Sequence, residues 1–140
     1  MSPEEMANLH LICMPEYSSW TAKYYGELLR SKNHIFEISK AGFGCARLIE
    51  NEAEILILLV HPKLQKSGYA HSILHNLHTK LVNLKCDKIF LEVAELNIAA
   101  RNLYLKNNYS QIGRRPNYYS LKNGKKTDGL VFEIKFPRKV

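Results

Sequence analysis

The spacing of apolar positions changes several times along the chain, and each change predicts an element. Ser2-Pro3-Glu4-Glu5 reads as a helix start, with Ser2 as N-cap, Pro3 in the first turn and Glu5 closing a capping box. The helix runs to about Cys13 and breaks at Pro15. Ser18 or Ser19 then caps a second helix on which Trp20, Tyr24, Leu28 and Leu29 share one side. His34 to Ile38 and Phe43 to Ile49 read as strands joined by a turn at Lys40-Ala41-Gly42. Glu54 to Val60 is a continuous apolar stretch ending at His61-Pro62, the pattern of a strand covered on both faces.

From Ser67 to about Leu84 the period becomes helical, with Ala70, Ile73, Leu74, Leu77, Leu81 and Leu84 in one stripe. Lys88 to Val93 is a further buried-type strand. Asn97 to Lys106 is a helix capped by Asn97. Ser110 to Ser120 and Leu130 to Phe136 read as the last two strands, with a turn at Lys122 to Lys125. This order predicts an α/β fold, a mixed sheet of about six strands with helices on both faces. Residues 1–140 show no repeat, linker or low-complexity tract, so one domain is expected. Ligand crevices in such sheets open beyond the C-terminal ends of central parallel strands.

Composition narrows the partners less than the pattern narrows the fold. Twenty basic and 13 acidic side chains give a net charge of +7, which suits a polyanionic or phosphate-rich partner but equally a basic proteome. No recognition-helix or RNP-like motif accompanies that charge, so direct nucleic-acid recognition is not predicted. Three cysteines with no C-x-x-C pair argue for a reducing compartment rather than a disulfide framework. Glu4 and Glu5 stand where a signal peptide would need positive charge, and Ile55 to Val60 is too short to cross a bilayer. A cytoplasmic chain without a membrane anchor, monomeric or weakly dimeric, is the expectation.

The chemistry gathers after the central strand. Gln65-Lys66-Ser67-Gly68-Tyr69-Ala70 lies between a buried strand and a helix start, where free N–H groups and the positive end of the macrodipole attract anions. Gly68 allows close backbone approach, Ala70 keeps the next position small, and Lys66 adds a charge. Neither a Walker loop nor G-x-G-x-x-G is present; an ordinary capped loop is the alternative.

The stretch Val60-His61-Pro62-x-x-Gln65-Lys66-x-Gly68-x-Ala70 resembles the central motif of the GNAT superfamily of acetyltransferases, [QR]-x-x-G-x-[GA] after a V-x-P strand end. The similarity continues through Leu91-Glu92-Val93, Asn97-x-x-Ala100, Leu103-Tyr104 and Arg114-Arg115-x-Asn117-Tyr118-Tyr119. That set looks like the RimI type within the superfamily, the ribosomal-protein-alanine N-acetyltransferases, over residues 54–136. The resemblance implies acetyl-CoA as cosubstrate, with no metal, and a protein N-terminus as acceptor. Acetyl would pass directly to the amine through a tetrahedral intermediate. It maps the strand edge that pairs with the pantetheine arm onto Leu58, Leu59 and Val60. It maps the pyrophosphate grip onto Lys66, Ser67, Gly68, Tyr69, Ala70 and His71, and cofactor-side positions onto Asn97 and Lys106. A small-amine acetyltransferase, acting on a polyamine or antibiotic, and a non-enzymatic acyl-CoA-binding module are the alternatives.

Acetyl transfer needs a neutral amine, a stabilised oxyanion and a proton for the departing thiolate. Glu92 is the candidate base: it is the one charge in Ile89-Phe90-Leu91-Glu92-Val93, where desolvation would raise its pKa. A structural carboxylate satisfied by backbone or arginine is the other reading. Tyr104 is the candidate acid, two helical turns from Asn97 and able to face the same crevice, or else an amphipathic core-edge residue. Arg114, Arg115, Asn117, Tyr118 and Tyr119 either hold an extended peptide in a basic, aromatic groove or form cross-strand pairs. His71, His75 and His78 line one side of a helix away from the apolar stripe, without acidic ligands, so no metal is expected there. Cys86 reads as a loop or core-edge thiol. The chain departs from the family pattern in starting with a helix, so the first family strand is expected to be missing, and in carrying Pro116.

Overall fold

Local signals fix the element boundaries. The computed structural model describes residues 1–15 and 17–137. Helix α1 (Pro3–Cys13) opens with the expected capping box: Glu5 N–H donates to Ser2 Oγ at 3.1 Å and Ser2 N–H to Glu5 Oε1 at 3.0 Å. Helix α2 (Ala22–Arg30) is capped by Thr21, whose Oγ1 accepts from Tyr24 N–H, and not by Ser18 or Ser19. Trp20 therefore lies before the helix, and its buried stripe is Tyr25 and Leu28 while Tyr24 and Leu29 are exposed. Threonine caps as serine does, so spacing alone did not choose among three adjacent hydroxyls.

Strands β1 (His34–Ile38), β2 (Gly42–Ile49), β3 (Glu52–Val60), β4 (Lys88–Ala94), β5 (Ser110–Ser120) and β6 (Lys126–Lys135) form one sheet in the order β1-β2-β3-β4-β6-β5. β3 and β4 pair in parallel through helix α3 (Tyr69–Asn83); the other neighbours are antiparallel. β6 begins four residues before the expected Leu130, because the polar stretch Lys126 to Gly129 ahead of the apolar run joins the ladder, Lys126, Thr127 and Gly129 pairing with β5. α3 begins at Tyr69 rather than Ser67, and Leu84 of the expected stripe is exposed at its C-cap. Helix α4 (Ile98–Lys106) starts at the Asn97 cap, whose Oδ1 accepts from Ala100 N–H at 3.2 Å. All six strands follow α2, and no helix among the described residues is long and apolar enough to cross a membrane.

The core lies on both faces of the sheet. α1 and α2 cover one face, with Met6, Leu9 and Tyr25 against Phe43, Cys45, Ile57 and Leu59. α3 and α4 cover the other, with Leu74, Leu77, Leu81 and Tyr104 against Ala46, Ile55, Leu91, Leu130 and Phe132. Burying one such aliphatic side chain contributes about 2 kcal/mol, so each layer holds its helices firmly.

The central strand carries the feature that matters most for function. Cys45 pairs with Ile57 and Ala46 with Ile55, which leaves Leu56 as an extra residue in β3. A bulge bends its strand and reverses the alternation beyond it. Accordingly Ala53 and Ile55 face α3 while Ile57 and Leu59 face α1 and α2. Pairing with β4 ends at the same place: Ile55 with Leu91 is the last pair. From Leu56 onward β3 bonds only to β2, and from Glu92 onward β4 bonds only to β6. The sheet is therefore split at the C-terminal ends of its two parallel strands.

Candidate active site

A cleft of about 490 Å³ occupies the split. Its walls are Ile55 to Leu58 of β3, Glu92 to Ala94 of β4, and Asn97, Ala100 and Tyr104 at the start and middle of α4. His10, Met14, Tyr17, Ser18 and Trp20 close it from the α1–α2 side, and Tyr118 to Ser120 of β5 from the far edge. Larger space exists at the opposite end of the sheet, between Glu50 and Pro137, but neither Glu92, Tyr104 nor the anion loop lines it.

Leu58 lines the cleft, whereas Leu59 and Val60 are buried and face the helix layers. The Val60 carbonyl is already occupied, accepting from Gln65 Nε2 at 3.0 Å and from Cys13 Sγ at 3.2 Å. The bulge marks where pairing with β4 stops, so β3 from Leu56 to Val60 is bonded on one side only, to β2.

Beyond β3 the chain passes through a short turn of 3-10 helix, Pro62–Leu64, into the anion loop. Lys66 has φ +62° and Gly68 φ +84°, both left-handed. Gly68 is the N-cap of α3 and supplies no side-chain hydrogen bond, and no protein atom lies within 4 Å of where its Cβ would sit. The first intrahelical bond runs from Ser72 N–H to Gly68 C=O, so the amides of the first turn, Tyr69 to His71, are left for a ligand. Lys66 and Ser67 are exposed beside them, and Tyr69 and Ala70 pack inward against Ile73. Lys106 lies at the other end of α4 from the Asn97 cap. It is exposed there, roughly 13 Å along the axis from Asn97.

Glu92 and Tyr104 reach the cleft from opposite faces of the sheet. Leu91 and Val93 pack with Tyr104 in the α3–α4 layer, so Glu92 between them points to the α1–α2 side. Tyr104 is only 4% exposed and its ring meets that of Tyr109 edge-on at 5.2 Å. Burial pushes its phenol well above the ordinary range, so the hydroxyl stays protonated. Among the described residues Ser19 Oγ is the buried side-chain polar atom left without a partner. Tyr104 lines the cleft, and among the described residues its hydroxyl has no hydrogen-bond partner.

Glu92 does not stand alone among apolar neighbours, as its strand context suggested. Arg115 grips it with two bonds, Nε to Oε2 at 2.7 Å and Nη2 to Oε1 at 3.1 Å. The guanidinium also lies 3.9 Å over the Tyr118 ring. Tyr119 donates its hydroxyl to the Glu92 carbonyl at 3.4 Å and meets Tyr17 edge-on. Arg114 is engaged elsewhere, by Glu95 and by Asp128 at 2.7 Å, and Asp128 also accepts from Asn117 N–H. Both arginines of the expected basic groove are paired with carboxylates, and Tyr17, Trp20, Tyr118 and Tyr119 line the cleft beside them. A wide bulge between Arg115 and Tyr119, with Asn117 at φ +52°, produces this arrangement around Pro116.

Sequence reasoning did not place His10, Met14, Tyr17, Glu95, Asp128 or Gly129 near the site. His10 is 4% exposed, and its Nδ1 accepts from Trp20 N–H at 3.3 Å and lies 2.9 Å from Tyr25 Oη. Burial pushes its pKa down, which keeps the ring neutral. The one available signal was the density of Tyr17 and Trp20 around the break at Pro15. Of the histidine line, His71 and His75 are exposed, while His78 turns inward to Tyr109 Oη at 2.6 Å. Cys86 is buried, its Sγ donating to Lys88 C=O.

The strand split thus lies beside a helix N-terminus that presents free amides, with a carboxylate and a phenol on either side. Residues 4–109 match the acetyltransferase (GNAT) family, and the chain belongs to that family. Among known relatives it resembles the [ribosomal protein bS18]-alanine N-acetyltransferase of Haemophilus ducreyi, with 29% identity over 92 residues, 66% of this chain and 63% of that protein. In fold it resembles the ribosomal-protein-S18-alanine N-acetyltransferase of Escherichia coli, at TM-score 0.79 and 20% identity over 94% of this chain and 87% of that one. An aminoglycoside 6'-N-acetyltransferase complexed with coenzyme A shares the fold at TM-score 0.78 and 16% identity, over 99% of this chain and 93% of that one.

Proposed function

We propose that this chain transfers the acetyl group of acetyl-CoA to the α-amine of a protein N-terminus, the N-terminal alanine of a ribosomal protein. The observation that carries the reading is the split between β3 and β4, with Glu92 on one face and Tyr104 on the other. Cofactor and acceptor can then enter from different sides and meet in the gap. The similarity to ribosomal-protein-alanine acetyltransferases supports the choice of acceptor. The same reading places the chain in the cytoplasm, where that acceptor is made.

The residues present fit acetyl-CoA. Leu56, Ile57 and Leu58 offer an unpaired strand edge to its pantetheine arm, and the amides of Tyr69 to His71, with Lys66 and Ser67, offer a cradle to its pyrophosphate. Bound acetyl-CoA supplies an activated thioester; every other role falls to the chain. Glu92 accepts the proton of the acceptor amine, directly or through a water. An α-amine has a pKa of about 8 against about 10.4 for lysine, so modest basicity suffices. An N–H of the free β3 edge stabilises the oxyanion. Tyr104, kept protonated by burial, donates to the departing sulfur.

Thiol release measured with N-terminal Ala-Arg-Tyr peptides, lysine peptides and polyamines tests this reading. Turnover confined to α-amines is expected. Turnover with small amines alone would overturn the acceptor, and coenzyme A binding without any turnover would favour a binding module.

A further inference from the structure

Glu92 is held in an unusual position for a base. Its carboxylate leans across β6, over Gly129, to reach β5; a Cβ on Gly129 would stand 3.0 Å from both Cδ and Oε2. There Arg115 occupies both oxygens in a fork. The two partners are not equally fixed. The Glu92 side chain is 11% exposed and walled by strand backbone, whereas that of Arg115 is 56% exposed. One partner can leave for water and the other cannot. Arg114 cannot take over, because Glu95 and Asp128 hold it.

An acceptor amine must approach the same two oxygens. We propose that Arg115 is a placeholder for the acceptor's ammonium group, which displaces it from Glu92, so that the site selects acceptors that arrive charged. This inference rests on the acetyl transfer proposed above. The incoming ammonium brings the same charge and the same kind of N–H donor as the guanidinium, so the carboxylate exchanges one cation for another without ever being left unpaired. A neutral amine offers no such exchange. Arg115 meanwhile retains the Tyr118 face, 3.9 Å away, as a resting surface. Once seated, the ammonium gives one N–H proton to Glu92 and keeps the electron pair of that bond for attack. The proton leaves Glu92 for solvent after transfer, and the second proton shed by the nitrogen as the C–S bond breaks replaces the one Tyr104 gives to the sulfur.

The test compares acceptor KM in the wild type, Arg115→Gln and Arg115→Lys. Two acceptors are used: an alanine-terminated peptide and hydroxylamine, which is uncharged at the assay pH. If Arg115 competes with the ammonium, Arg115→Gln lowers peptide KM about threefold to fivefold, the effect of a partly exposed ion pair, and leaves hydroxylamine KM unchanged. Arg115→Lys, which keeps the charge and loses the fork, falls between. A peptide KM that is unchanged or raised in Arg115→Gln overturns the inference, and so does an equal fall for both acceptors. A wild-type chain that binds coenzyme A and acetylates no amine defeats the proposed function itself, and this inference with it.

Discussion

Adding one methyl group at Gly129 tests whether the position of Glu92 matters for turnover. Gly129 pairs with Ala94 on one side and Arg115 on the other, directly beneath the reach of Glu92 across the sheet. In Gly129→Ala the new Cβ would lie 3.0 Å from Glu92 Cδ and Oε2 and 3.3 Å from Cγ. Ordinary contact needs about 3.5 Å, so the carboxylate must move by about 0.5 Å. The new methyl pushes the carboxylate away from β6, against the bonds to Arg115 at 2.7 and 3.1 Å that hold it in the resting site. A misplacement of 1 Å costs about a hundredfold in rate, so half of that costs about tenfold in kcat. Stability should change little, because alanine in a strand recovers about 0.5–1 kcal/mol that glycine loses, against a comparable crowding cost. The assay is thiol release at saturating acetyl-CoA, with coenzyme A affinity measured by calorimetry and expected to be unchanged. The decisive control is the double-mutant cycle with Glu92→Gln. If Gly129→Ala acts through Glu92, it adds less than about twofold in that background. The same tenfold loss in both backgrounds, or full activity in the single variant, would refute the reasoning.

Other consequences can be measured on the same material. Tyr104→Phe should lower kcat by about a hundredfold while coenzyme A affinity holds, and wild-type kcat should show no alkaline decline from this phenol, because burial pushes its pKa up. Gly68→Ala places a side chain at φ +84°, which costs about 1–2 kcal/mol, and should weaken coenzyme A binding about tenfold with acceptor KM unmoved. His78 is pushed down from 6.5 to about 4, chiefly by burial and further by His75 and His71. Between those values the unfolded chain binds a proton that the folded chain refuses, so stability is full above pH 6.5 and falls as pH drops toward 4. His78→Gln should flatten that part of the melting-temperature profile, by of order 1–2 kcal/mol after allowance for partial exposure.

Much of the architecture was legible because the core obeys simple periods. The α1 capping box, the α3 stripe from Ile73 to Leu81 and the buried run of β4 all appear as their spacing requires. What escaped was set by tertiary geometry. The extra residue at Leu56 has no signature in a run of leucines and isoleucines, yet it marks where β3 parts from β4 and leaves the backbone from Leu56 to Val60 bonded on one side only. Gly129 and Asp128 look like turn residues and serve instead as a floor for Glu92 and an anchor for Arg114 and Asn117. The Arg115 pairing joins residues 23 apart in sequence and depends on the bulge around Pro116. The position of Lys106, by contrast, follows from helix length, which carries it to the opposite end of α4 from Asn97.

A crystal structure of the chain with coenzyme A tests the central claim most directly. The account predicts the pantetheine arm in the gap between Leu56 to Leu58 and Glu92 to Ala94, with the pyrophosphate on the amides of Tyr69 to His71. Coenzyme A seated elsewhere, such as the space between Glu50 and Pro137, with the split strands empty, would contradict it.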